Sequence, residues 1–365
     1  MMQEGLLKNE ERAIMKLRAL YRSRGYLPYK MSKFEEYDLY VSNKEFLVGD
    51  GVITFNDTNG KLLALKPDVT LSIIKNAADD GEKRKVYYNE NVYRISGETK
   101  QFKEIMQVGL ECIGDIDVYD VYETLYLAAS SLAAVSENFV LDISHLGILS
   151  AILEEIGGGE KFGKEIMKRI AEKNSHEIPF ICEKYGVSVA NAEKLARIVG
   201  AYGRPQETLE KLRPICRSEA AKNALCRLET LCGLLATTEY ADKIRIDFSV
   251  VNDMNYYNDI VFKGFIDGIS EGVLSGGRYD KLMSRMGRKS GAIGFAVYLD
   301  LFEGFSDRKR EFDVDVLLLY DGNTDVVAVK AETDRLVMAG KTVRVQRTKG
   351  GLRYGELVDM TGGGV

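Results

Sequence analysis

The sequence predicts an α+β protein with a helical insertion and a short C-terminal β-α-β unit. Three observations carry this. Short segments with period-two alternation, Val86–Tyr93 and Ile105–Ile113 among them, lie between long stretches with a helical apolar stripe. From about Leu146 to Tyr240 the pattern is helical throughout, with Lys/Glu-rich faces and glycine breakers. After a charged linker, Gly304–Arg310, the composition resets and a strand, helix and strand follow. These shifts divide the chain into a main domain, 1–310, carrying an insertion at 146–240, and a small α/β domain, 311–365.

The elements follow in order. Asn9–Arg24 has apolar residues at Ala13, Ile14, Leu17, Leu20 and Tyr21, a helical stripe that Gly25 ends. Val52–Asn56 and Lys61–Leu65 read as a hairpin, with Asn59-Gly60 as the turn signal. Pro67 is expected in the first turn of an apolar helix, Leu71–Ala78, with Asp68 and Thr70 beside its positive end. Asp117–Val135 reads as a long helix and Phe139–Ser144 as a strand. Beyond the insertion, Lys243–Val251 and Tyr256–Ile266 resume the sheet. Ser275–Asp280 reads as a tight glycine turn, and Gly291–Phe302 as a strand or the start of a buried helix. In the C-terminal unit, Val314–Tyr320 and Thr342–Gln346 are strands around the helix Asp325–Ala339, and Thr361–Val365 is expected to be disordered.

Composition bounds the function. At 365 residues, with 45% hydrophobic and 29% charged content, the chain has the make-up of a soluble globular protein. No apolar run reaches the ~18 residues of a membrane helix, and the N-terminus does not read as an export signal. The five cysteines form no CxxC pair, and with two histidines there is no metal-site spacing. The expectation is a cytoplasmic protein without a metal site. A net charge of −5 argues against a main role in gripping nucleic acid, though a local basic patch would fit within it.

The most informative segment is Asn91–Gly114. Alternation places Ile105, Gln107, Gly109, Glu111 and Ile113 on one face, and Met106, Val108, Leu110 and Cys112 on the other. An amide and a carboxylate thus flank a mid-strand glycine, which weakens a strand unless something must approach its backbone. Gln107-x-Gly109-x-Glu111 reads as the floor of a pocket for a small polar ligand. The alternative is a strand whose polar face meets water. His145 and His176 read as packing or surface residues.

Four pieces together resemble the class II aminoacyl-tRNA synthetase core of histidyl-tRNA synthetases: LKPDVT (Leu65–Thr70), VYR…QVGLECIG (Val92–Gly114), NYYNDIVFKGF (Asn255–Phe265) and SGGRYDKL…GAIGFAVYLDLF (Ser275–Phe302). The resemblance spans roughly residues 5–305. It implies an antiparallel sheet flanked by helices, and a C-terminal unit amounting to about half an anticodon-binding domain. It implies a histidine site in which Asp68 and Thr70 meet the ligand ammonium and Gln107 binds the amino acid. Glu111, Tyr257 and Tyr279 meet the imidazole, with Gly276 and Gly277 in the adjoining segment. An ammonium wants a carboxylate, and an imidazole wants an acceptor and a donor fixed in a dry slot.

The departures from the family pattern are equally specific. Asn252 stands where synthetases carry the arginine that contacts the histidine carboxylate and α-phosphate. Asn255 replaces an aspartate beside the tyrosine pair. Tyr298 replaces a small glycine, and Leu301 the arginine that stacks on adenine. Arg94 remains from the ATP motif, but the loop after it lacks most of the family's basic residues. Ser32 replaces the early-motif proline, while Glu35 fits. Histidine recognition is largely retained and ATP handling largely lost.

This combination resembles the regulatory subunits of ATP phosphoribosyltransferase. The resemblance implies a non-catalytic partner of the short catalytic subunit, in histidine biosynthesis, with histidine as effector. ATP and Mg2+ would belong to the catalytic subunit. It further implies a homodimer within a hetero-oligomer, and no tRNA or membrane partner. The alternatives are a histidyl-tRNA synthetase, or a synthetase-like protein serving another partner.

Overall fold

The computed structural model describes residues 9–43, 51–95, 99–251, 256–302 and 312–362. The chain divides into two compact units, Met1–Phe305 and Ser306–Val365. The expected linker 304–310, and Asn252 and Asn255, lie outside the described residues.

The first unit is built on a nine-stranded sheet. In spatial order its strands are Leu27–Pro28, Arg84–Ile95, Phe102–Gly114, Gly291–Tyr298, Leu274–Arg278, Ile260–Ile266, Phe139–His145, Ile244–Asp247 and Tyr202–Gly203. The central pairings are antiparallel. Leu27–Pro28 joins in parallel at one end, and Ile244–Asp247 runs parallel to Phe139–His145 near the other. A second, three-stranded antiparallel sheet holds Leu62–Leu65 between Phe34–Glu36 and Thr54–Asn56. Its hairpin turns at Gly60, whose φ of +81° suits glycine.

The long strand Phe102–Gly114 divides two apolar cores, as its alternation requires. Val108, Leu110 and Cys112 enter the larger core, which the helices Asn9–Ser23 and Val118–Ala133 cover. Ile113, with Ile105 at the edge, enters a smaller core with Leu71, Ile74, Tyr88 and Tyr279. The helix Val118–Ala133 starts at a capping box: Asp117 accepts from the Asp120 amide, and the Asp120 carboxylate accepts from the Asp117 amide. Tyr21 on the first helix reaches Ser131 on this one, 2.9 Å between hydroxyls.

Between Leu146 and Leu235 the chain is helical apart from the two-residue edge strand Tyr202–Gly203. Leu146–Ile156 packs on Glu219–Leu235, continuing the larger core into the insertion. No helix among the described residues is long and apolar enough to cross a membrane. All five cysteines are unpaired.

Four expectations are corrected. Ser275–Asp280 is not a tight turn: Leu274–Arg278 is a central strand, and neither Gly276 nor Gly277 has positive φ. Pro67 precedes the helix, which runs Thr70–Asn76. The C-terminal unit holds a third strand, Tyr354–Asp359, parallel to Val314–Leu319 on the side opposite Val343–Gln346. Its residues alternate only weakly and none is buried, so periodicity did not mark it. Thr361, expected in a disordered tail, is bonded through its amide and hydroxyl to Asp359.

Candidate functional site

A cavity of about 690 Å3 opens on the face of the large sheet away from the long helices. Asp68, Thr70, Arg94, Gln107, Glu111, Tyr257 and Tyr279 all line it. Gly276 and Gly277 are not among its lining residues. A β-carbon at Gly276 would strike Phe262 and Phe295 in the core, and one at Gly277 would strike the ring of Tyr257. Gly277 therefore makes room for a wall residue, and Gly276 for the packing beneath.

Glu111 is the centre of the site. It is 2% exposed. The Thr70 hydroxyl donates to its Oε1 at 2.8 Å, and the Tyr279 hydroxyl to its Oε2 at 2.5 Å. Burial pushes the carboxyl up to about 8; the two hydroxyl bonds pull it down, and nearby Asp68 adds to the rise. Cross-strand register explains how the carboxylate fits. Glu111 lies opposite Gly294, and a β-carbon there would sit 1.7 Å from Oε2. Gly109, opposite Tyr88, has the same role for the Tyr88 phenol, whose oxygen would be 2.4 Å from a β-carbon. What approaches the mid-strand glycine is thus a tyrosine side chain of the protein.

Asp68 is buried just ahead of the Thr70–Asn76 helix and accepts from the Leu71 amide at 2.8 Å. Burial raises its pKa, opposed by that bond and by the positive charge of Arg94. Arg94 donates through Nε to the Pro67 carbonyl at 2.9 Å. Gln107 is 3% exposed, opposite Tyr298. The reading of a strand with a water-facing polar side fails on these exposures.

Sequence reasoning missed several lining residues: Tyr88, Tyr256, Lys263 and Ser275. Tyr256 sits between Tyr257 and Tyr279, with ring centroids at 4.7 and 5.7 Å. The sequence reading took Tyr257 from the Tyr256-Tyr257 doublet, and both rings line the cavity. Tyr298 and Leu301, marked in the sequence as departures, line the same cavity. Of the two histidines, His145 is buried with Nε2 2.8 Å from Asp259, and His176 is exposed. No group of three or more His, Cys, Asp or Glu among the described residues could hold a metal ion.

The family model for histidyl-tRNA synthetase matches residues 3–301. The chain belongs to this family. Within the histidyl-tRNA synthetase family its relatives have a narrower name. The ATP phosphoribosyltransferase regulatory subunit of Alkaliphilus metalliredigens is 29% identical over 339 residues, covering 89% of this chain and 85% of that protein. Among solved structures, an ATP phosphoribosyltransferase regulatory subunit/histidyl-tRNA synthetase from Bacillus halodurans superposes with a TM-score of 0.77 at 23% identity. The match covers 97% of this chain and 94% of that one. A chain of the ATP phosphoribosyl transferase (HisG:HisZ) complex from Thermotoga maritima superposes with a TM-score of 0.63 at 18% identity, covering 78% and 96%. These likenesses give the fold: a class II histidyl-tRNA synthetase-like sheet flanked by helices.

Proposed function

We propose that this protein is a regulatory subunit of ATP phosphoribosyltransferase. In this reading it is a histidine-binding partner that a short catalytic subunit needs for activity and for feedback inhibition. The observation that carries it is a mismatch within one cavity. The amino-acid end is intact, with Glu111 held by Thr70 and Tyr279 and Asp68 set at a helix start. Tyr298 and Leu301 line the same cavity where the family's activating members have a glycine and an adenine-stacking arginine. A bulky phenol and a branched aliphatic chain provide neither room for a nucleotide nor a planar cation to stack on it. A site that binds an amino acid without activating it is a sensor. It becomes a switch when its ligand prefers one assembly state.

Within this proposal Asp68 and Thr70 receive the ligand ammonium, Gln107 contacts the amino acid, and Glu111, Tyr257 and Tyr279 read the imidazole. Gly277 supports Tyr257. The chain carries no cofactor of its own; ATP and Mg2+ act on the catalytic partner. It works in the cytoplasm as a homodimer within the hetero-oligomer, and synthetase activity is lost.

The test is a reconstituted reaction. This protein is mixed with its short-form ATP phosphoribosyltransferase catalytic subunit, and phosphoribosyl-ATP formation is followed with and without histidine. Activity that needs this chain and falls with histidine is expected. No activation by this chain overturns the proposal. Histidine-dependent ATP–pyrophosphate exchange by the protein alone would return it to the synthetases.

A further inference from the structure

We propose that Lys263 is the cation that receives the carboxylate of the amino-acid ligand, in place of the arginine that this chain lacks at Asn252. The inference rests on the proposed histidine site and adds the one charge partner that site is missing.

The sheet register sets out the cavity floor. One row across the strands runs Glu111, Gly294, Gly277, Val261. The next row on the same face, two residues along and therefore about 6.6 Å away, runs Gly109, Ala296, Ser275, Lys263. In these two rows the middle strands offer only small side chains, Gly294, Ala296 and Ser275, all of them in the cavity lining; Tyr298 stands one row further along. Taller groups rise on each side: Glu111 at one, Lys263 at the other. A ligand lying over the small residues with its ring against Glu111 extends its other end toward the lysine row.

Lys263 is half-buried and lines the cavity, and no carboxylate among the described residues pairs with it. Its stem crosses Gly272, where a β-carbon would fall 2.1 Å from Cε. The ammonium lies 5.5 Å from the centre of the Phe265 ring. Glu271 and Asp300 also line the cavity. A side chain with its stem packed is suited to an anion, because part of the ordering cost is already met before the ligand arrives.

Two other cations line the cavity, and each is less suited. Arg94 is tied to the Pro67 carbonyl and lies beside Asp68, the partner of the ligand ammonium. A carboxylate drawn there would meet the aspartate's negative charge. Lys103 is exposed, where water screens its charge.

Calorimetric titration of the full chain tests this with L-histidine and with histamine, which keeps the ring and ammonium but has no carboxylate. Wild type is expected to prefer histidine by roughly ten- to a hundredfold, the range for a hydrogen bond to a charged group. Lys263→Met should lose that preference while binding histamine as wild type does, and Lys263→Arg should keep most of it. Equal histidine affinity in wild type and Lys263→Met overturns the assignment and leaves the histidine site standing. A wild-type preference near one overturns it too, even if Lys263→Met fails to fold. Absence of histidine binding by wild type overturns the site reading, and this assignment with it.

Discussion

Replacing Glu111 by glutamine isolates the electrostatic cost at the heart of the cavity. In the folded protein burial holds this carboxyl near 8, against an ordinary value of 4.5. That difference corresponds to about 5 kcal/mol, as an upper order of magnitude, against the ionised form. The sign follows from linkage. Between about pH 4.5 and 8 the folded state holds a proton that the unfolded state has released, so stability falls as pH rises through this window. The group's contribution is complete below 4.5 and gone above 8. Glutamine is neutral throughout, and the Thr70 and Tyr279 hydroxyls can each donate to its oxygen or accept from its amide. The stability of Glu111→Gln relative to wild type should therefore rise by several kcal/mol from pH 5 to pH 9. For the Met1–Phe305 unit, at about 2.1 cal/mol/K per residue, this is on the order of 8 °C in Tm. Thermal unfolding of both proteins across that range, read by circular dichroism, measures it. The other carboxylates are common to both chains, and the repulsion from Asp68 is already part of the rise at Glu111, so it does not oppose the difference. Two curves running parallel from pH 5 to pH 9 would refute the reasoning, because Glu111 would then ionise like an exposed carboxylate despite its burial.

Three further outcomes are expected. Gly294→Ala drives a methyl into the Glu111 carboxylate and the Leu110 carbonyl, at 1.7 and 2.4 Å from the new carbon. It should cost about 1–3 kcal/mol in denaturant unfolding and lower histidine affinity in calorimetry; unchanged binding would show that the carboxylate position is not critical. Histidine affinity should be greatest between about pH 6.5, the ordinary imidazole value, and about 8, the value for Glu111. In that interval ligand and carboxyl together hold the single proton a buried pair can share; below it one proton is lost on binding, and above it one is taken up. Titrations in which affinity still climbs at pH 9 would exclude that shared proton. Asp117→Ala removes the capping box of the Val118–Ala133 helix and should destabilise the first unit by about 0.5–2 kcal/mol in urea without altering histidine binding; loss of binding would mean the helix positions the cavity floor.

The strands and helices of the first unit were legible where one periodicity ran long enough. Phe102–Gly114 separates two cores, so every residue's side was fixed by alternation. The helix Val118–Ala133 announced itself by its apolar stripe, Val121, Leu125, Ala128 and Leu132. Leu274–Arg278 was misread because Gly276-Gly277 is a turn signal in isolation. In the sheet those glycines answer to neighbours more than ten residues away, the Phe295 strand and the Tyr257 ring. Tyr354–Asp359 was missed for a different reason. It pairs along one edge only and buries little, so its backbone is held by Val314–Leu319 while its side chains carry no pattern.

The site divides along the same line. Gln107 and Glu111 are two strand positions four residues apart, and alternation alone brings them to one face. Asp68 and Thr70 were marked by a helix start. Lys263 and Ser275 have no such local mark: each sits in an ordinary strand, and only the pairing of Leu274–Arg278 with both of its neighbours carries them to the row beside Glu111. Reading that strand as a turn removed the link, so the cavity's far wall stayed hidden while its near wall was plain. The same physics explains why Asn252 mattered in the sequence. A conspicuous missing arginine marks where charge was lost, whereas a replacement charge can enter from any strand that the register brings alongside.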